Sequence, residues 1–92
     1  MQRFLIEVPH EGTAAACARA GELLLRTGSH FLTHADYGCV DGVHKAWIIV
    51  EVESKDEARN VLPPELRSVA NIVRLNYFTM ALVDDLKRRH EG

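Results

Sequence analysis

His34-Ala-Asp-Tyr-Gly-Cys-Val-Asp-Gly-Val-His44 reads as the tip of a β-hairpin. Asp41-Gly42 is a strong two-residue turn signal, because glycine takes positive φ without a steric penalty. A turn there pairs Cys39 with His44, Tyr37 with Ala46, Ala35 with Ile48, Thr33 with Val50 and Phe31 with Val52. Small and apolar side chains of one strand then meet the apolar set of the next. A slip of one residue would mix that face with charge, so the pattern itself selects the register. The hairpin arms are expected at about residues 29–37 and 44–53.

Working outward, Phe4, Ile6 and Val8 alternate with Leu5 and Glu7, which predicts a half-buried first strand ending at Pro9. Thr13 is placed to cap a helix running to about Arg26, with Gly28 at its C-terminal end. Ser54-Lys-Asp-Glu57 is a capping box that starts a second helix, which ends before Pro63-Pro64. A short helical turn is expected from Pro64 to Ser68 and a fourth strand from Asn71 to Phe78. Thr79 caps a final helix from Met80 to about Arg89, with Val83 and Leu86 on one face.

The order strand, helix, strand, strand, helix, strand is the split βαβ plan of an α+β, ferredoxin-like βαββαβ sandwich with a four-stranded antiparallel sheet and an extra C-terminal helix. One domain fits the 92 residues: a core of residues 3–78 and a C-terminal helix over 79–90. The helix-covered face is expected to take Phe4, Ile6 and Val8 from strand one and Val73, Leu75 and Tyr77 from strand four. The open face then holds Leu5, Glu7, His30, Leu32, His34, Asp36, Trp47, Ile49, Glu51, Ile72, Arg74 and Asn76. That face is too apolar to stand in water and predicts association of two or more copies, with Trp47 as an anchor.

Composition excludes some classes. A formal net charge of -2 gives no general attraction to nucleic acid or anionic lipid. The basic run Lys87-Arg-Arg-His90 reads as a solvated last helical turn. No stretch approaches the ~20 apolar residues of a membrane span, and the N-terminus lacks the apolar region of a signal peptide. Two cysteines are too few for a disulfide framework, so free thiols in the reducing cytoplasm are expected. No Gly-rich phosphate loop is present.

The stretch Ile48-Ile-Val-Glu-Val-Glu-Ser-Lys-Asp-Glu-Ala-Arg59 resembles the strand and serine-capped helix of the dimeric α+β barrel group, which includes muconolactone isomerase-like and YCII-like proteins. Phe4-Leu-Ile-Glu-Val8 with Glu51 also resembles small bacterial ferredoxin-like proteins, some of them nickel-binding. The resemblance implies a homodimer or higher homo-oligomer built through the sheet. The group spans isomerases, monooxygenases and binding proteins, so no activity follows from it.

Two constellations carry candidate chemistry. In this plan strand one ends where the hairpin turns, which brings His10 near Cys39 and His44. Imidazole and thiolate together suit zinc, nickel or copper. The competing reading is a hairpin cysteine beside surface histidines. Cys17 reads as a small hydrophobe on the first helix. The second constellation is on the open face, where His34, with Asp36, Glu7 and Arg74, is placed to act as a proton shuttle on a small-molecule ligand. The competing reading is a subunit interface with internal ion pairs. A cytoplasmic ligand- or metal-binding protein is the expected role; the alternative is a cofactor-free enzyme, isomerase or monooxygenase-like.

Overall fold

A computed structural model describes residues 1–26 and 34–91, excepting the side chains of His90 and Glu91. The elements are β1 (Gln2–Pro9), α1 (Ala14–Arg26), β2 (Asp36–Tyr37), β3 (Lys45–Val52), α2 (Lys55–Asn60), α3 (Pro64–Arg67), β4 (Asn71–Leu75) and α4 (Met80–Glu91). They form an α+β unit around a four-stranded antiparallel sheet of order β2-β3-β1-β4. That order is compatible with the ferredoxin-like plan.

The caps start the helices where the sequence places them. Thr13 Oγ1 accepts from the Ala16 amide at 3.1 Å and opens α1. Ser54 Oγ accepts from the Glu57 amide at 3.1 Å, while the Glu57 carboxylate reaches back to the amide of Glu53 at 2.6 Å. Thr79 Oγ1 accepts from the Leu82 amide at 3.1 Å and opens α4. Between α2 and β4 the backbone is held by arginines: Arg59 donates to the carbonyls of Arg67 and Ala70, and Arg67 to that of Leu62.

The β1–β3 ladder runs from Gln2↔Val52 to Pro9↔Lys45 and sets the two faces. Phe4, Ile6, Val8, Ala46, Ile48 and Val50 are all buried, against Leu24 of α1, Ala58 of α2, and Leu62 and Ala70 of the connection to β4. Each large aliphatic removed from water contributes roughly 1.5–3 kcal/mol. Among its described side chains the α4 helix adds none of the buried residues; Leu82, Val83 and Leu86 form its half-buried face.

Three expectations need correction. First, β4 has the opposite face assignment. Ile72 lies opposite Ile6 and Arg74 opposite Phe4, so these lie on the helix side, while Val73 lies opposite Leu5 on the open side. The chain enters β4 with Ala70 buried, and strand alternation then turns Val73 and Leu75 outward. Second, β2 is only Asp36–Tyr37 among the described residues, and His34 and Ala35 precede it without ladder pairing. An edge strand has one partner, and Ala and Asp are weak strand formers. The expected pairs at Phe31 and Thr33, the open-face residues His30 and Leu32, and the Gly28 cap lie outside the described residues. Third, the hairpin tip is wider than a two-residue turn.

The expected register nevertheless holds, with Tyr37 opposite Ala46 and Asp36 opposite Trp47. Gly38 N–H donates to the Lys45 carbonyl at 3.1 Å, and its own carbonyl receives the amides of Asp41 and Val43. Cys39–Asp41 make one 3-10 turn, closed by Gly42 at φ 81°. Cys39 and His44 thus flank the loop rather than forming a ladder pair.

Gly38 is required by space. A Cβ there would lie 2.7 Å from the Val43 carbonyl oxygen and 2.9 Å from the Trp47 ring. Gly38→Ala should destabilise the fold by about 1–3 kcal/mol, the usual cost of overpacking. Urea unfolding checks this; an unchanged midpoint would mean the hairpin relaxes freely.

Candidate metal centre

The end of the sheet where β1 stops brings four potential ligands together. The β1–β3 pairing continues one bond past Pro9, with His10 N–H donating to the His44 carbonyl at 3.1 Å. His10 and His44 are thereby neighbours, their rings edge to face with centroids 5.8 Å apart. Cys17 belongs to the first turn of α1, its amide bonded to the Thr13 carbonyl at 3.0 Å. A helical Cα–Cβ bond tilts toward the helix N-terminus, which aims this thiol back toward the end of β1. Cys39 arrives from the 3-10 turn of the hairpin.

The contacts are close. His10 Nε2 lies 3.0 Å from the Sγ of both Cys17 and Cys39, and His44 Nδ1 lies 3.5 Å from Cys17 Sγ. One ligand atom from each of His10, Cys17, Cys39 and His44 falls within 4.8 Å of all the others, a group fit to hold a metal ion. All four residues are half-buried, and both cysteines are free thiols. A zinc tetrahedron with bonds of about 2.0–2.3 Å has sulfur–nitrogen edges of about 3.6 Å. The 3.0 Å contacts of His10 would lengthen and any pair near the 4.8 Å limit would draw in, each a shift of about 1 Å or less.

The surroundings fix roles for individual atoms. His10 Nε2 faces the sulfurs, while its Nδ1 is buried with no hydrogen-bond partner. The Cys17 thiol is pushed above its ordinary range, first by its hydrogen bond to Cys39 and then by burial and the Cys39 charge. A metal must displace that proton to bind. Gly12 lies under the His44 ring: a Cβ there would be 3.2 Å from Cδ2 and 3.3 Å from Nε2.

His10, Cys39 and His44, expected to share an ion, do come together. Cys17 is the member that the sequence reading placed elsewhere, as a hydrophobe; it is the fourth ligand candidate. The signal for it was the short path from the end of β1 to the Thr13 cap, which sets Cys17 one turn into the helix.

The proposed proton-shuttle residues are arranged differently. Glu7 pairs with Trp47 across the ladder and Trp47 with Asp36, so these share one row of the open face. Glu7 is occupied: Lys45 Nζ lies 3.2 Å from its Oε1, and Trp47 Nε1 donates to its Oε2 at 3.3 Å. His34 is exposed and precedes β2. Arg74 lies opposite Phe4 and so belongs to the other face. A separate cavity of about 380 Å³ at the far end of β1 is lined by Arg3, Glu51, Arg74 and Tyr77, without Glu7, His34 or Asp36.

No family model matches the chain, and no curated protein or solved structure matches it significantly. Among the described residues, no helix is long and apolar enough to cross a membrane.

The Glu7 carboxyl is held below its ordinary value, mainly by the Lys45 hydrogen bond. A depressed folded-state value stabilises the fold above the ordinary value of 4.5 and loses that contribution as pH falls through the folded value. Glu7→Gln should therefore weaken the fold slightly at neutral pH and flatten its decline below pH 4.5. Urea midpoints measured across pH 3–7 test this; parallel curves for the two proteins would contradict it.

Proposed function

We propose that this chain is a metal-binding protein that holds one transition ion, preferentially zinc, through His10, Cys17, Cys39 and His44. The observation supporting this is the convergence of two thiols and two imidazoles within 4.8 Å. Zinc accepts that ligand set in a tetrahedron, whereas nickel(II) and copper(II) favour flatter geometries. Four protein ligands complete the tetrahedron and leave no position for a substrate. The site therefore retains an ion rather than activating water on it. A cytoplasmic setting, where thiols stay reduced, belongs to the same reading.

Metal analysis of protein purified without an affinity tag, followed by zinc titration, tests this. One ion per chain is expected. Cys17→Ser and Cys39→Ser should each lower affinity by more than about 100-fold, beyond the 10–100-fold typical of outer-shell changes. Gly12→Ala, whose new Cβ crowds the His44 ring, should fall within that outer-shell range. Wild-type affinity in both cysteine variants would overturn the site.

We further propose that the open sheet face joins two copies of the chain. Ile49 and Val73 are 60% and 47% exposed there, beside half-buried Leu5, Trp47 and Leu75. Arg3 and Lys45 offset Glu7 and Glu51 on the same face, so charge does not oppose self-association. Ile49→Lys should shift sedimentation from dimer to monomer while zinc affinity stays unchanged. A wild-type chain that is monomeric at tens of micromolar would refute the pairing.

A further inference from the structure

The two thiols of the cluster are the only cysteines in the chain, and they sit on separately anchored elements, Cys17 on α1 and Cys39 on the hairpin tip. Their sulfurs lie within 4.8 Å of each other. A disulfide requires about 2.05 Å, so closure needs a movement of less than about 3 Å. The hairpin tip is the part able to supply it: Val40 is fully exposed, Gly42 closes the turn, and no buried residue lies within Cys39–Asp41. Both thiols are half-buried, which leaves them within reach of a small oxidant.

We propose that Cys17 and Cys39 form a peroxide-sensitive pair, whose oxidation to an intramolecular disulfide releases the ion. This rests on the metal-binding reading for its output, but the pairing of the thiols rests on geometry alone. The oxidant is a small hydroperoxide. One thiolate attacks the peroxide oxygen, the O–O bond breaks, and, with a proton from solvent, the products are a sulfenic acid and an alcohol or water. The second thiolate attacks the sulfenic sulfur, the S–O bond breaks, and the departing hydroxide takes a second proton to leave as water. Two electrons pass from sulfur to the peroxide. The zinc ion changes no oxidation state; it loses two of its four ligands, and the remaining imidazoles of His10 and His44 hold it too weakly to compete with a chelator. A dithiol reductant reverses the step and restores the ligand set. Because the chain has no third cysteine, the pair has no competing partner within the molecule.

The experiment loads the wild-type chain with zinc, adds hydrogen peroxide in the presence of a chromophoric zinc chelator, and reads the intact mass. The expected result is zinc release in step with a mass loss of about 2 Da in the monomeric chain, and recovery of zinc binding after dithiothreitol. Cys17→Ser and Cys39→Ser should instead gain about 16 or 32 Da, with no intramolecular disulfide. Oxygen addition without a disulfide in the zinc-loaded wild type, or disulfides only between chains, would overturn the thiol pairing and leave the metal reading standing. A chain that takes up no zinc before peroxide is added, yet loses about 2 Da on oxidation, would overturn the metal reading and the proposed release while leaving the thiol pairing.

Discussion

The antiparallel pairing of β1 with β3 is the constraint on which the rest of the structure depends. Ile6 opposite Ile48 and Phe4 opposite Val50 put the bulk of two central strands on one side of the sheet. Once that side is dry, α1 and α2 have one surface to cover, and Leu24, Ala58 and Leu62 complete it. The same ladder leaves Leu5 opposite Ile49 and Glu7 opposite Trp47 on the other side, which no described helix buries. A shift of one residue would turn one of these strands over relative to the other and carry its acidic residue, Glu7 of β1 or Glu51 of β3, into the core, at a cost of several kcal/mol for an unpaired buried charge.

That ladder also positions the cluster. Proline has no amide hydrogen, so β1 cannot donate at Pro9, but His10 can, and its bond to the His44 carbonyl carries the pairing to the last residue before the chain turns. The hairpin is tied down from the other side, through Gly38 and Lys45. Gly38 packs against the Trp47 ring and the Val43 carbonyl too closely for any side chain, and this fixes where Cys39 begins its 3-10 turn. Two glycines therefore act on the site without contributing a ligand atom: Gly38 places the Cys39 turn, and Gly12 leaves room for the His44 ring.

Much of this was legible from residue order, and the parts that were not have physical causes. The caps at Thr13, Ser54 and Thr79 were readable because a hydroxyl before a periodic apolar stretch satisfies amides that nothing else can reach. The hairpin register was readable because only one pairing keeps charge out of the core. The faces of β4 were not, since Asn71–Leu75 has apolar residues of both parities and its alternation is set by Ala70, buried outside the strand. The expected pairing of Ala35 with Ile48 does not form, because β2 is an edge strand among the described residues and is held on one side alone. At the site, His10, Cys39 and His44 followed from strand ends meeting, a feature of topology. Cys17 did not, because its contribution depends on the backward tilt of a helical side chain, which spacing alone does not express.

With few large side chains buried among the described residues, the fold would gain from a cross-link at the open end of its sheet. Among the described residues the core is concentrated over β1 and β3, and α4 adds nothing buried. The end of β1, the start of α1 and the hairpin tip meet through thin contacts: one ladder bond, thiol–imidazole contacts and an edge-to-face ring pair. An ion held by one ligand from the end of β1, one from α1 and two from the hairpin would join what the hydrophobic core leaves loosely connected, so its binding free energy would add to folding free energy. The half-burial of the ligands follows from the same placement. A site at the rim can be tight because four atoms converge, and yet stay within reach of oxidant and chelator because no core surrounds it. On the proposed reading, stability of the rim and response of the rim would be set by the same four side chains.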